Sequence, residues 1–312
     1  MNEKKSEKKT IIENFTAVAL TQIISYIIPL ISLPYLTRVL GAEKFGLYCW
    51  AQAAIAYFVV LTEFGFNQSA VREIAINREN QKKINEIFSS IMIIKALLFL
   101  AGIIILNIFI FYIPKLQNEY ILFNIAYITV VGNAIYPIWY FQGIEHMKYI
   151  TFLNILAKSI FLILIFIFIK SPSDYIFVAF LNSMGFIISG ILGILLAIKR
   201  FNLKLLIPKL NTIIKQFKYS SEFFLSRVSA VTNAATNTFA LGLIASPVAV
   251  AYYAAGEKIF LALRGISEPF SQVLYPHVAK TQSMIFYKKI FKIAMLILLF
   301  MVLFVFVFAK DI

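Results

Sequence analysis

The feature that most constrains this chain is a series of long apolar stretches separated by short polar segments. One of them, SIFLILIFIFI at 159–169, carries no charged residue. A helix of about 20 apolar residues crosses the hydrocarbon core of a bilayer, whereas a β-barrel needs alternating segments of about 10 residues, and these stretches do not alternate. Of the 312 residues, 61% are hydrophobic and 14% are charged. The sequence therefore predicts an all-α polytopic membrane protein.

We place nine transmembrane helices along the chain, and the lysine and arginine residues between them set their orientation. Eighteen of these residues fall on the side of the N-terminus and five on the other side. The positive-inside rule then predicts that the N-terminus and the basic 199–218 loop are cytoplasmic. This accounts for most of the net charge of +14 and favours membrane lipids over nucleic acid as its partner. The predicted helices lie at about 15–37, 45–66, 86–113, 119–141, 150–169, 174–198, 219–244, 248–274 and 288–309.

The two halves of the chain are related by a shift of 204 residues, which places Tyr48 on Tyr252 and Phe66 on Phe270. The same shift superposes the order of apolar and basic segments. We therefore expect a C-terminally truncated form of a twelve-helix protein whose two six-helix lobes are parallel repeats. The expected parts are a cytoplasmic basic N-terminus at 1–13, a six-helix lobe at 14–198, a cytoplasmic inter-lobe loop at 199–218 and three helices of an incomplete second lobe at 219–312.

Several ionisable side chains interrupt the predicted helices, and AYYAAGEKIFLALRGISEPF at 251–270 contains four of them. A charged side chain at the centre of a membrane helix costs at least about 2.5–3.5 kcal/mol, so its position is informative. Glu257, Arg264 and Glu268 fall on one helical stripe, while Lys258 lies about 100° away. A ladder of internal ion pairs and the lining of a cavity both fit this stripe. The other such side chains are Glu63, Lys95, Lys158, Glu222 and Arg227.

Polar side chains follow helical spacing on other predicted helices as well. Gln22 and Ser25 lie on the first, and Thr151, Asn154 and Lys158 lie on the fifth. Tight packing through small polar residues is one explanation, but it accounts less well for the amide side chains. We expect these faces to line a shared aqueous cavity. The seventh helix adds Glu222, Ser226, Ser229, Asn233 and Asn237, at i, i+4, i+7, i+11 and i+15.

No pattern in the sequence indicates catalysis or a resident cofactor. The single cysteine, Cys49, excludes an internal disulfide bond, and no group of cysteine and histidine residues has metal-ligand spacing. The sequence contains no glycine-rich phosphate-binding loop. We therefore expect no metal, no cofactor and no ATP hydrolysis within this chain.

Four stretches together resemble a known family. They are NFTAVALTQIISYIIPLISLPYLTRVLGAEKFGLY, EFGFNQSAVREIAINREN, YPIWYFQGIEHMKYITFLNILAKSIF and AYYAAGEKIFLALRGISEPFSQVLYPHVAK. In this order they resemble the Wzx-type O-antigen flippases of bacterial polysaccharide biosynthesis. These flippases belong to the multidrug/oligosaccharidyl-lipid/polysaccharide flippase superfamily, whose members have twelve helices in two lobes.

The resemblance implies a function in the bacterial cytoplasmic (inner) membrane. Such a protein moves an undecaprenyl-pyrophosphate-linked oligosaccharide from the cytoplasmic to the periplasmic leaflet by alternating access through a central cationic cavity. The resemblance also implies coupling to a gradient of H⁺ or Na⁺, and partnership with the polysaccharide polymerase and chain-length regulator.

The family motifs and the charged positions together give the candidates for the substrate cavity. Arg38, Gln142, Glu257 and Lys258 lie on motifs of the family. Lys158, Arg227 and Arg264 are the groups that we expect to face the pyrophosphate, because guanidinium and paired positive charge suit a phosphate anion. The full set is Arg38, Glu63, Gln142, Lys158, Arg227, Asn233, Asn237, Glu257, Lys258, Arg264 and Glu268.

Two other functions remain open at this point. A cation-coupled multidrug exporter of the same superfamily would have a cavity dominated by carboxylates and aromatic rings, and Glu63, Glu222, Glu257 and Glu268 fit that expectation. A membrane-embedded sugar transferase or polymerase would usually carry a large periplasmic loop or an acidic metal-binding motif. The longest loop predicted here is basic and cytoplasmic.

Overall fold

The computed structural model describes residues 2–261, which are almost entirely α-helical and contain no strand. Five of the helical stretches are long and apolar enough to cross a bilayer, which confirms an all-α polytopic membrane protein. A short 3₁₀ turn, Pro172–Asp174, precedes the eighth helix. The helices are α1 (Asn2–Glu63), α2 (Phe66–Ile76), α3 (Gln81–Tyr112), α4 (Pro114–Asn118), α5 (Tyr120–Ile135), α6 (Ile138–Gly143), α7 (Met147–Phe168), α8 (Tyr175–Phe201) and α9 (Leu210–Ile244).

The longest helix, α1, contains the first two predicted spans. Its 62 residues would reach about 93 Å in a straight helix, about three times the thickness of the hydrocarbon core. The helix is interrupted at Gly41, whose φ of 70° and ψ of 166° are rarely adopted by a residue that has a Cβ. Gly41 therefore divides α1 into a first segment, 2–40, and a second segment, 42–63.

The two segments of α1 run in opposite directions. In the first segment, Ser25 contacts Lys158 within α7 and Tyr35 donates a hydrogen bond to the carbonyl of Ile169 just after α7, so this segment runs alongside α7 in the same sense. The second segment begins beside α8, where Lys44 lies 4.9 Å from the centroid of the Tyr175 ring. From there it returns across the bundle toward α2. The helix α1 therefore crosses the bundle twice, once with each segment.

The turns between helices gather at two ends of the bundle. We call one the basic end: it contains the α2–α3 turn, the α6–α7 turn and residues 202–209. Arg78 of the first turn forms an ion pair of 2.6 Å with Glu145 of the second. The opposite end contains the break at Gly41, the chain between α3 and α5, and the α7–α8 turn, where Tyr175 donates a hydrogen bond to Glu119.

The predicted span 119–141 is confirmed as the apolar stretch Tyr120–Gly143, which contains a break where Pro137 cannot donate a backbone hydrogen bond and Tyr136 before it is extended. One predicted element boundary is corrected. The predicted 199–218 loop is mostly helical, and only residues 202–209 lie outside helices. The apolar residues after this segment recur with helical spacing, which favours an early start for α9.

The last two predicted spans lie partly or wholly beyond the described residues. Residues 247–261 are helical and begin the predicted span 248–274. The predicted span 288–309 lies outside the described residues. The 35-residue α9 is not among the five stretches of high apolarity, because polar and charged side chains occur along it.

Close packing between the second segment of α1 and the C-terminal part of the described chain depends on two glycines. A Cβ built on Gly46 would overlap the carbonyl oxygen of Pro247, and one built on Gly242 would overlap the Trp50 ring. The Trp50 indole donates a hydrogen bond of 3.1 Å to the carbonyl of Phe239. Small residues allow membrane helices to approach this closely.

We predict that Gly46→Ala destabilises the bundle by about 1–3 kcal/mol, because the added methyl group forces these helices apart. Thermal unfolding of the protein in detergent measures the effect. Gly256→Ala is the matched control, since no atom of the described residues lies within 4 Å of a Cβ built at that position. Equal melting temperatures for the two variants would contradict the packing argument.

Candidate functional site

A polar cavity of about 360 Å³ lies toward the basic end, between the first segment of α1 and α7. The lining residues on α1 share one face of that helix, and those on α7 share one face of theirs, because positions three, four and seven apart lie on the same side of a helix. The α6–α7 turn closes one side. The lining residues are Thr21, Gln22, Ser25, Gln142, Met147, Ile150 and Thr151.

The cavity is bordered by the ammonium group of Lys158. Its Nζ donates a hydrogen bond of 2.6 Å to Oγ of Ser25, which is a lining residue. Among the described residues, no carboxylate lies within ion-pair distance of Lys158. An ammonium group inside a membrane bundle is costly without a counter-charge. Within the part of the chain that the structure describes, Lys158 is therefore a cation with a hydroxyl partner and no acidic partner, which suits the binding of an anion.

The same face of α7 carries further hydrogen-bonding groups. Thr21 and Thr151 are joined across the cavity wall by a hydrogen bond of 2.8 Å. The side-chain oxygen of Asn154, one turn before Lys158, is buried and has no hydrogen-bond partner among the described residues. An acceptor left in this state costs free energy until a donor reaches it. A hydroxyl-rich ligand such as a sugar has donors of the required kind.

Positive charge is concentrated at the α6–α7 turn, which adjoins the lining residues Gln142 and Met147 in the sequence. The pKa of His146 is lowered by burial and by the nearby charges of Lys148, Arg200 and Arg78. The hydrogen bond from Arg78 lowers the pKa of Glu145, so this carboxylate stays ionised and neutralises one of those cations. The remaining cations leave this turn positively charged, and this charge attracts a negatively charged ligand.

A second charged cluster joins α9 to the second segment of α1. The guanidinium of Arg227 lies 3.4 Å from the carboxylate of Glu63, and their side chains are 38% and 17% exposed. Glu63 also lies within electrostatic range of Lys95, a buried residue whose ammonium donates a hydrogen bond of 3.3 Å to the carbonyl of Asn133. Arg227 and Lys95 are therefore close to an acidic group, in contrast to Lys158.

A third group of polar contacts joins α9, the helix at 247–261 and α1. Thr238 donates a hydrogen bond to Glu257, and Asn237 donates one to Tyr253, both at 3.0 Å. Lys258 contacts the second segment of α1, where its Nζ lies 5.0 Å from the centroid of the Phe45 ring. These side chains form contacts between helices.

The candidates from the sequence thus fall in different places. Gln142 lines the polar cavity, Lys158 donates a hydrogen bond to the lining residue Ser25, and Arg38 is exposed near the break at Gly41, at the opposite end. Of the four spans expected to share a cavity, the first and fifth contribute the described residues that line this one, and much of the eighth lies outside the described residues. Asn233 lies in α9, but its side chain is outside the described set, and Arg264 and Glu268 lie outside the described residues.

Sequence reasoning missed the contacts that hold the start of α9 against α2. Ser220 and Ser69 share a hydrogen bond of 2.7 Å, and Gln216 donates a short hydrogen bond to Glu73. Phe64, just after α1, stacks on the Phe217 ring at 4.5 Å. The serines and amides lie at helical spacing on each helix, but the sequence gives no sign of which helices meet.

We predict that Glu63 and Arg227 stabilise the bundle as a pair. Glu63→Gln and Arg227→Gln should each cost about 1–3 kcal/mol, because each leaves a partly buried charge unmatched. The double variant should lose less than the sum of the two, and thermal unfolding of all four proteins measures the coupling. Lys83 and Glu86, an i, i+3 pair on one helix, provide a control cycle in which the coupling is small. Additive losses at Glu63 and Arg227 would show that the pair is not coupled.

Comparison with known proteins places the chain in a family. The sequence profile of the family described as "Polysaccharide biosynthesis protein" matches residues 11–282. A relative from Escherichia coli (strain K12), named "Putative O-antigen transporter", is 30% identical over 277 residues, which cover 88% of this chain and 66% of the relative. A relative of the same name from Shigella dysenteriae is 32% identical over 258 residues, covering 83% of this chain and 65% of the relative.

The chain spans just under two thirds of the length of these two curated relatives. No solved structure matches it. The apolar helices and the similarity to transporters agree on a multi-pass membrane protein. Since the family profile covers most of the sequence, the chain belongs to the polysaccharide biosynthesis protein family.

Proposed function

We propose that this protein is a flippase that moves lipid-linked oligosaccharide repeat units, of O-antigen or a similar polysaccharide, across the bacterial inner membrane. The observation that carries the proposal is Lys158, a cation without an acidic partner among the described residues, beside a polar cavity of about 360 Å³. The names of the two relatives, which describe transport of O-antigen, support the same class of substrate.

The chemistry of the cavity suits the parts of such a substrate. A pyrophosphate linked to undecaprenol is an anion, and the ammonium of Lys158 would bind it through a charge-assisted hydrogen bond. The amide groups of Gln22, Gln142 and Asn154 would bind sugar hydroxyls. We propose that the apolar lipid tail stays in the bilayer beside the helices.

In the proposed cycle, the substrate enters from the cytoplasmic side, which we assign to the basic end. Access then alternates to the periplasmic side as α9 and the second segment of α1 move apart, so that the contact between Glu63 and Arg227 must break and form again. We propose coupling to a gradient of H⁺ or Na⁺. The product would pass to the polysaccharide polymerase and the chain-length regulator of the same pathway.

We predict that Lys158→Gln, introduced into the gene in its native bacterium, abolishes surface polysaccharide at an unchanged level of the protein. A hydrogen bond to a charged group contributes about 1.5–3 kcal/mol, so the substrate should bind roughly tenfold more weakly or worse. Lys158→Arg, which keeps the charge, should retain part of the function. Immunoblots measure the polysaccharide and the protein, and extraction of lipid-linked oligosaccharide measures the untransported substrate.

The matched control is Lys170→Gln, just beyond the other end of α7, where the lysine is exposed and contacts the carbonyl of Phe166. This variant should produce normal surface polysaccharide. Normal polysaccharide in the Lys158→Gln strain would refute the role of the cavity. If that strain instead becomes sensitive to cationic drugs and keeps its polysaccharide, the multidrug exporter is the correct reading.

A further inference from the structure

The segment at 202–209, between α8 and α9, is held in place by buried polar side chains of α3. The backbone N–H of Lys204 donates a hydrogen bond of 3.1 Å to the side chain of Asn85, and that of Leu206 donates one of 2.9 Å to Ser89. Asn85 and Ser89 are 5% and 3% exposed. Leu203 is buried in the apolar core of the basic end. The position of this segment is therefore set by α3.

These hydrogen bonds also fix the depth of the segment. The 32 residues of α3 extend over about 48 Å, so a centred helix projects about 9 Å beyond each side of a hydrocarbon core of about 30 Å. Ser89 lies eight residues after Gln81, or about 12 Å along the helix. Leu206, bonded to Ser89, is thus at the boundary between headgroups and acyl chains.

The side chains of the segment have the character expected at that depth. Leu205 is 60% exposed and Ile207 is 99% exposed, although both are large and apolar. Lys204 and Lys209 are exposed beside them. The sequence from 199 to 221 contains six lysine and arginine residues and no acidic residue. Exposed apolar side chains flanked by cations are typical of a segment that lies in the membrane interface.

We propose that residues 202–209 form an interfacial anchor that inserts Leu205 and Ile207 at the headgroup boundary and binds anionic phospholipid headgroups through Lys204 and Lys209. The anchor holds the start of α9 at a fixed depth while it remains bonded to α3. Its partner is the anionic lipid surface, because the segment offers positive charge and apolar surface together and the adjacent chain has no carboxylate to compete.

Tryptophan fluorescence in proteoliposomes tests the depth of the anchor. The two native tryptophans, Trp50 and Trp139, are 4% and 0% exposed, so lipids should quench them little. Ile207→Trp should be quenched strongly by phosphatidylcholine brominated close to the headgroup. Leu97→Trp, on an exposed face in the middle of α3, is the control for depth and should be quenched best by bromines deep in the acyl chains, and Glu79→Trp, on the exposed α2–α3 turn, is the negative control.

Quenching of Ile207→Trp no stronger than that of Glu79→Trp would overturn the proposal, since the segment would then lie in water or be covered by protein. Leu205→Trp provides a second reporter at the same depth, and it must give the same result. This measurement does not depend on transport, so it stands or falls independently of the proposed function.

A second experiment tests the choice of lipid. Placing the brominated chains on phosphatidylglycerol instead of on an equal amount of phosphatidylcholine should increase the quenching of Ile207→Trp, because the anionic lipid is enriched around the anchored segment. Adding Lys204→Gln and Lys209→Gln should lower this preference for phosphatidylglycerol by roughly 30-fold, because each lysine near an anionic surface contributes about 1 kcal/mol. Lys82→Gln with Lys148→Gln removes two charges elsewhere at the basic end and should leave the increase intact. Quenching that is insensitive to phosphatidylglycerol would overturn the assignment of an anionic lipid.

Discussion

Placing a charged side chain in a hydrocarbon layer costs free energy unless the charge has a partner. The arrangement of this bundle depends on which partner each charge has. Arg227 meets the carboxylate of Glu63, Lys95 meets a backbone carbonyl within range of the same carboxylate, and Lys258 lies against aromatic rings. Lys158 meets only a serine hydroxyl among the described residues. Among the described residues, this difference separates charges that hold helices together from Lys158, which we propose binds a ligand.

The two segments of α1 connect these two kinds of site. The first segment lines the polar cavity with Gln22 and Ser25, and the second carries Glu63 and packs against α9. Gly41 joins them at the opposite end of the bundle, where its backbone conformation reverses the chain. In the proposed cycle, movement of α9 against the second segment would therefore act on the same helix that forms the cavity wall.

A good part of this architecture could be predicted from the sequence. The apolar stretches located most of the described helices, and helical spacing correctly grouped Ser25, Thr151 and Lys158 on faces that meet. The boundaries of α9 and the break at Pro137 were less accessible, because they depend on local backbone chemistry within otherwise continuous patterns. Residues 202–209 were expected to belong to a basic cytoplasmic loop, and the sequence did not show that Asn85 and Ser89 of a distant helix hold their backbone in place.

The sequence by itself determined that the chain crosses a membrane many times, because no other environment accommodates so many apolar side chains, and it determined which residues share a helical face. Only the tertiary structure decided which faces meet. It paired Arg227 with Glu63, 164 residues away along the chain, and left Lys158 with Ser25. Helical periodicity is a local property of the sequence, whereas the partner of a charge depends on the packing of helices that are distant in the chain.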